Sequence, residues 1–179
     1  MGENKRIFIA VNLPEKAMER IFETLSMEIP GKETKVVAKE NLHVTMRFLG
    51  YLNDEGIEEI CGKLEELRKF KKFEAEVAGA GEFGGRVIWI GIEKGNKELI
   101  EVARKIEELL GVEKDERFNP HITIARNKDL RIKEVRELVE KLNAKKLKEK
   151  IRVESIDVMQ SILKREGPDY IVVKRIELG

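Results

Sequence analysis

The chain has two histidines, and both sit in the same short pattern. The first copy is Asn41-Leu42-His43-Val44-Thr45-Met46 and the second is Asn119-Pro120-His121-Ile122-Thr123-Ile124. Each reads Asn-x-His-apolar-Thr-apolar, and 78 positions separate them. The chain holds just four threonines, so a threonine two places after each histidine is not an accident of composition. Side chains of a strand point in turn to opposite faces. His43, Thr45 and Arg47 therefore share one face by parity, while Val44 and Met46 pack behind. His121 and Thr123 share a face likewise, with Ile122 and Ile124 behind. Two strands with one pattern, each followed by a helix, point to two similar lobes facing each other across a cleft.

The flanking sequence supplies the rest of such lobes. Arg6 to Asn12 is an apolar, β-branched strand, and Pro14 suits the first turn of a helix reaching about Glu28. Thr34 to Ala38 reads as a short strand and Leu42 to Tyr51 as the first motif strand. Asn53 or Asp54 caps a helix over Glu55 to Phe70. Phe73 to Phe83 and Arg86 to Glu93 alternate around Gly84-Gly85, a hairpin signal. Asn96 to Leu110 is an amphipathic helix stopped by Gly111. Pro120 to Arg126 is the second motif strand, and Ile132 to Leu142 a fourth helix. Lys150 to Lys164 and Tyr170 to Glu177 read as a closing hairpin through Glu166-Gly167-Pro168. Hairpins without a Gly-rich strand-to-helix turn make this α+β, with antiparallel sheets and helices outside, and not a doubly wound parallel sheet.

At 179 residues the chain fits one bilobal domain, 1–179, and 41% hydrophobic residues suffice for a core. Charged residues reach 39%, mostly Lys and Glu with the signs nearly balanced at net +1. That is the composition of a heat-adapted surface, and it does not announce a nucleic-acid binder, although clustering is invisible to a net charge. Cys61 is the only cysteine, which excludes a disulfide framework and a thiolate metal cluster. It lies on an apolar helix face and is expected to be buried and inert. No secretory core or membrane-length apolar run is present, so a soluble, cytoplasmic protein is expected. No heptad seam or long apolar edge stands out, and a monomer is expected.

Two imidazoles and two hydroxyls converging from rigid strands suit a phosphodiester. One neutral histidine takes a proton from the attacking water or hydroxyl, and one protonated histidine gives a proton to the departing oxygen. The threonine hydroxyls donate to non-bridging oxygens as charge develops on them. Nothing in this scheme calls for a metal or other cofactor. A zinc site is the competing use of two histidines and nearby carboxylates, but no familiar ligand spacing is present.

These residues resemble the two-histidine phosphoesterase superfamily, built on two His-x-Thr/Ser-x motifs on facing strands. The resemblance is strongest to its RNA 2′,3′-cyclic phosphodiesterase branch, also known as bacterial and archaeal 2′-5′ RNA ligase. Arg6 to Pro14 is similar to the family's opening strand, Asn41 to Gly50 to its first motif with a Phe-Leu-Gly tail, and Phe118 to Arg126 to its second. Gln160 to Leu163 and Gly167 to Tyr170 resemble its C-terminal hairpin. The resemblance implies a bilobal α+β fold with a pseudo-twofold axis and a central cleft. It implies that a terminal 2′,3′-cyclic phosphate on RNA is opened to a 2′-phosphate. It assigns His121 as proton acceptor, His43 as proton donor, and Thr45 and Thr123 as phosphate holders. The near-symmetric motifs alone do not distinguish the two histidines. The implied partner is RNA with a 2′,3′-cyclic end, tRNA fragments among the candidates, and 2′-5′ joining without ATP is the same chemistry with a hydroxyl nucleophile.

Phe48 and Arg126 each stand five residues after their histidine. The resemblance places both at the nucleotide, Phe48 as a stacking surface and Arg126 at phosphate or base; Arg47, on the histidine face by parity, is a further substrate-binding candidate or a solvated neighbour. Simple alternation instead sends Phe48 and Arg126 to the core side, although Arg126 at its strand's end is free to turn out. Lys39 and Lys128 read as surface lysines, and Tyr170 and Trp89 as packing residues. Two other readings stay open: a two-histidine phosphodiesterase for a small cyclic nucleotide or 2′-5′ oligonucleotide, and a non-catalytic module that grips RNA ends.

Overall fold

A computed structural model describes residues 3–179. The elements run β1 (Lys5–Asn12), α1 (Glu15–Leu25), β2 (Thr34–Val36), β3 (His43–Leu52), α2 (Asp54–Leu64), β4 (Phe73–Phe83) and β5 (Val87–Lys94). They continue α3 (Asn96–Leu110), β6 (His121–Asn127), α4 (Ile132–Ala144), β7 (Lys148–Val153), β8 (Ser155–Leu163) and β9 (Pro168–Glu177). The fold is α+β. One antiparallel sheet has the order β7-β4-β5-β6-β3-β1-β8-β9, with β2 on the free stretch of β6.

That order reads the same outward from its centre, where the two motif strands meet. β3 and β6 are joined by one residue pair, Val44 opposite Ile122. On one side lie β1, β8 and β9, and on the other β5, β4 and β7. The helices interlock the halves. α1 and α4 pack on β7 and β4, while α2 and α3 pack together and against β3. Alternation sorts β1 cleanly: Ile7, Ile9 and Val11 enter the large core under the helices, whereas Phe8 and Ala10 form a small second cluster with Met159 and Tyr170 on the cleft face.

Most sequence-derived elements lie within two or three residues of their expected ends, with two instructive exceptions. Pro14 precedes α1 as its N-cap, and both α1 and α2 tighten into 3₁₀ turns over 26–28 and 65–69 before the expected helix ends. The larger exception is the stretch from Lys150 to Lys164, expected as one strand. It breaks at Glu154: β7 pairs with β4 in one half and β8 with β1 in the other. The reason is a slip of phase. Ile151 and Val153 are buried, then Ile156 and Val158, so the core-facing positions change parity at the break. Among the described residues no helix is long and apolar enough to cross a membrane.

Candidate active site

His43 opens β3 and His121 opens β6, each one residue before the pair that joins the strands. The antiparallel register there sets Thr123 beside His43 and Thr45 beside His121. All four side chains line one cleft of about 730 Å³, a size suited to a nucleotide-sized ligand.

The backbone fixes both imidazoles in the same way. His43 Nδ1 lies 2.7 Å from the carbonyl of Asn41, and His121 Nδ1 lies 2.7 Å from the carbonyl of Asn119. A carbonyl only accepts, so each Nδ1 carries a proton and each Nε2 is left for chemistry. His43 Nε2 meets the Thr45 hydroxyl at 2.8 Å. Rings pack against both: Tyr170 edge-on to His43 at 5.3 Å and Phe83 edge-on to His121 at 4.9 Å, with Phe8 5.2 Å from His43. Burial pushes both imidazoles below their ordinary pKa, opposed by the carbonyl bonds. A charge on His121 lowers His43 further, and the charge of Arg126 lowers His121 further. Protonation of one ring therefore discourages protonation of the other.

Phe48 and Arg126 overturn the parity argument. Phe48 is 63% exposed, Arg126 is exposed as well, and both line the cleft. The cause is a matched pair of β-bulges. On β3, Thr45 faces Ala10 and Arg47 faces Ile9, which leaves Met46 as an extra residue. On β6, Thr123 faces Trp89 and Ala125 faces Ile88, which leaves Ile124 as the extra one. Each bulge falls three residues after its histidine and reverses the phase, so the residue five after it swings to the cleft. The same reversal corrects the placement of Arg47 on the histidine face. Arg47 still lines the cleft, but its guanidinium is engaged by buried Glu107 of α3 at 3.2 Å.

Glu107 is a residue sequence reasoning missed. One of its oxygens takes Arg47 and the backbone N–H of Asp115, and the other takes Arg104, so one carboxylate ties β3 to the loop before the second motif. Its signal was faint: a glutamate on the apolar stripe of α3. Asp157 was missed as well. It is fully buried, receives Asn12 Nδ2 at 2.7 Å and takes the Arg175 guanidinium through two bonds. Tyr170, read as packing, both packs on Phe8 and lines the cleft. Trp89 lies beside Phe83 and His121, its Nε1 buried without a partner. Lys39 pairs with Glu19, Lys128 lies outside the cleft lining, and Cys61 is half-buried with its thiol pKa raised by burial. Among the described residues no three His, Cys, Asp or Glu side chains converge as metal ligands would.

Comparisons with known proteins agree with this architecture. The family model described as the 2′-5′ RNA ligase superfamily matches residues 13–164. An RNA 2′,3′-cyclic phosphodiesterase of Methanocaldococcus jannaschii is 32% identical, over 94% of this chain and 98% of its own. One from Archaeoglobus fulgidus is 34% identical, over 92% and 96%. The crystal structure of Escherichia coli LigT in apo form superposes with a TM-score of 0.81 at 23% identity, over 99% of each chain, and so shares the fold. A family match across both motifs, with relatives aligned nearly end to end, makes this chain a member of the 2′-5′ RNA ligase superfamily.

Proposed function

We propose that the protein is an RNA 2′,3′-cyclic phosphodiesterase, a phosphoric diester hydrolase that opens a terminal cyclic phosphate to a 2′-phosphomonoester without a metal. The observation that carries this is the pair of imidazoles on adjoining strands, each with Nδ1–H tied to a carbonyl and Nε2 left for the one cleft. In the reaction, His121 Nε2 takes a proton from water as the water oxygen bonds to phosphorus. The bond from phosphorus to the 3′ oxygen breaks, and His43 Nε2–H protonates that oxygen. Thr45 and Thr123 donate to the non-bridging oxygens. Arg126 supports the assignment: its charge disfavours protonation of His121, and a base must start neutral. An anionic phosphate seated between the rings favours a proton on His43, which offsets the effect of burial. Phe48, exposed beside Phe8, offers the terminal base a ring to stack on. With a ribose hydroxyl in place of water, the same groups run 2′-5′ joining without ATP. RNA ends such as cleaved tRNA are the substrate class, and the chain works as a monomer.

The test is cleavage of an RNA oligonucleotide ending in a 2′,3′-cyclic phosphate, in EDTA, with wild type, His43→Ala and His121→Ala. The expected product is a 2′-phosphate, with each variant slower by about a hundredfold or more. Turnover untouched by either substitution, or abolished by EDTA, would overturn the proposal. Tight binding of the end without turnover would instead support a gripping module.

A further inference from the structure

Both motifs contain an asparagine two residues before the histidine, and in both its backbone carbonyl accepts the Nδ1–H. A carbonyl is available from any residue, so that bond does not explain why asparagine stands there. The side chains differ. Asn119 is exposed and makes no side-chain hydrogen bond among the described residues. Asn41 is half-buried, and its Nδ2 donates to the carbonyl of Pro168 at 2.8 Å, joining residues 127 apart in sequence.

Pro168 opens β9, two residues before the Tyr170 ring that stands edge-on to His43. The β8–β9 hairpin outruns its neighbour, since β1 pairs with β8 only as far as Arg6 opposite Ser161. Beyond that point the tip, 162–169, is a two-stranded overhang at the cleft. Within it the β8–β9 ladder continues through Ile162–Asp169 and Leu163–Pro168, and the turn adds Gly167 N–H to the Lys164 carbonyl and an ion pair between Lys164 and Asp169. Among the described residues Asn41 makes its one hydrogen bond to the rest of the molecule. The matching β4–β5 tip is better secured: Asn127 donates its side chain to the Gly85 carbonyl and its backbone N–H to that of Arg86.

We infer that Asn41 is a positioning residue whose side chain latches the β8–β9 tip to the first motif and so keeps the Tyr170 ring against the His43 imidazole. The inference rests on the proposed roles of the histidines, and it concerns one face of His43 only. Tyr170 stands at the root of the overhang, its backbone paired with Ser161 and its ring on Phe8. Without the latch the overhang loosens and the ring rocks on that root, water reaches the imidazole, and its pKa rises toward the ordinary value. For a proton donor this carries the alkaline limb of the pH profile to higher pH.

The chain's two histidines make imidazole NMR titration readable, with His43→Ala assigning the pair. In Asn41→Ala, whose backbone carbonyl is intact, the His43 titration is expected to shift up while that of His121 stays. On cyclic-phosphate RNA, kcat/KM is expected to fall on the order of tenfold, with the alkaline limb displaced in the same sense. Asn41→Ser, too short to reach Pro168, repeats the comparison should the alanine variant fold poorly. Tyr170→Leu closes a double-mutant cycle: an asparagine acting through the ring predicts that the double variant loses little more than Tyr170→Leu alone. Unmoved His43 titration in both Asn41 variants, or additive losses in the cycle, would overturn the latch. An inactive wild type would sink the enzymatic reading and leave the NMR comparison to decide the latch by itself.

Discussion

The two halves of the sheet carry the same histidine, threonine and bulge, yet they are floored with opposite chemistry. In the first half the row beneath the motif runs from Thr45 to Ala10, Asp157 and Arg175 on successive strands. A buried carboxylate there is bound by Asn12 and clamped by the guanidinium, 2.9 and 2.8 Å away. In the second half the corresponding row runs from Thr123 to Trp89 and Gly81. The indole sits against Gly81, and a Cβ there would clash with three carbons of its ring. Strand register and bulge place the cleft groups alike in both halves, while the floors beneath them diverge. The histidines diverge as well: His43 has a threonine on Nε2 and the charge of His121 against it, while His121 answers to Arg126.

The largest effects should separate acid from base. On RNA, His43→Ala and His121→Ala each lose about a hundredfold or more. A phosphodiester of 4-nitrophenol has a leaving group that departs without a proton. On that substrate His43→Ala should recover most of its activity and His121→Ala little of it. Equal losses on both substrates would mean that the two histidines are not divided into acid and base.

The floors should differ in stability next. Asp157→Asn keeps the shape but breaks the charge-assisted clamp on Arg175, and the loss expected is about 2 kcal/mol, discounted because Arg175 itself is half exposed. Denaturant midpoints at constant m-value would measure it. A negligible loss would make the Asp157 network ornamental and the two floors equivalent.

How much of this was written in the chain can be argued residue by residue. The cleft quartet was legible because His43, Thr45, His121 and Thr123 lie before the bulges, where period two holds without interruption. Phe48, Arg47 and Arg126 lie after them, and a bulge leaves no mark in an unbroken run such as Val44-Thr45-Met46-Arg47-Phe48. The β7–β8 break did leave one, the change of buried parity around Glu154, within a run that otherwise reads as one strand. Asp157 and Glu107 were illegible for another reason. A charge among apolar neighbours looks like noise until its partners, 145 positions away for Asn12 and 60 for Arg47, are brought to it by the fold.

The residues swung out by the bulges provide a third comparison. Arg126→Ala should raise KM on RNA about tenfold with a smaller change in kcat, since an arginine without an ion pair among the described residues is available to a phosphate. Phe48→Ala should raise KM by only a fewfold and leave stability within about 0.5 kcal/mol, because the ring is largely in solvent. A loss of stability on the scale of a core phenylalanine would mean that Phe48 packs inward in solution and that the β3 bulge does not persist.

Acid should tell the histidines apart more gently. Both have a folded-state pKa below the ordinary 6.5, so the unfolded chain binds protons first as pH falls. The stability they contribute is therefore complete above 6.5 and is lost as pH drops from there through the two depressed values. Thermal unfolding between about pH 7.5 and 5.5, above most carboxylate titration, isolates them. His43→Ala should flatten that slope more than His121→Ala, because His43 lies deeper and carries the added repulsion from its partner. A slope unchanged in both variants would place both imidazoles in solvent.

The smallest effect should come from the floor of the second half. Trp89 Nε1 is buried with no acceptor, so Trp89→Phe removes a donor that was stabilising nothing. Its cost is the lost ring area alone, below about 1 kcal/mol at a half-buried site. Gly81→Ala probes the same contact from beneath and should cost more, since its new methyl must displace the indole. If Trp89→Phe proved as damaging as Asp157→Asn, the indole N–H would have a partner in solution, a bound water being the simplest. The second floor would then be a polar one like the first, and the contrast between the halves would narrow to the arginine beside His121.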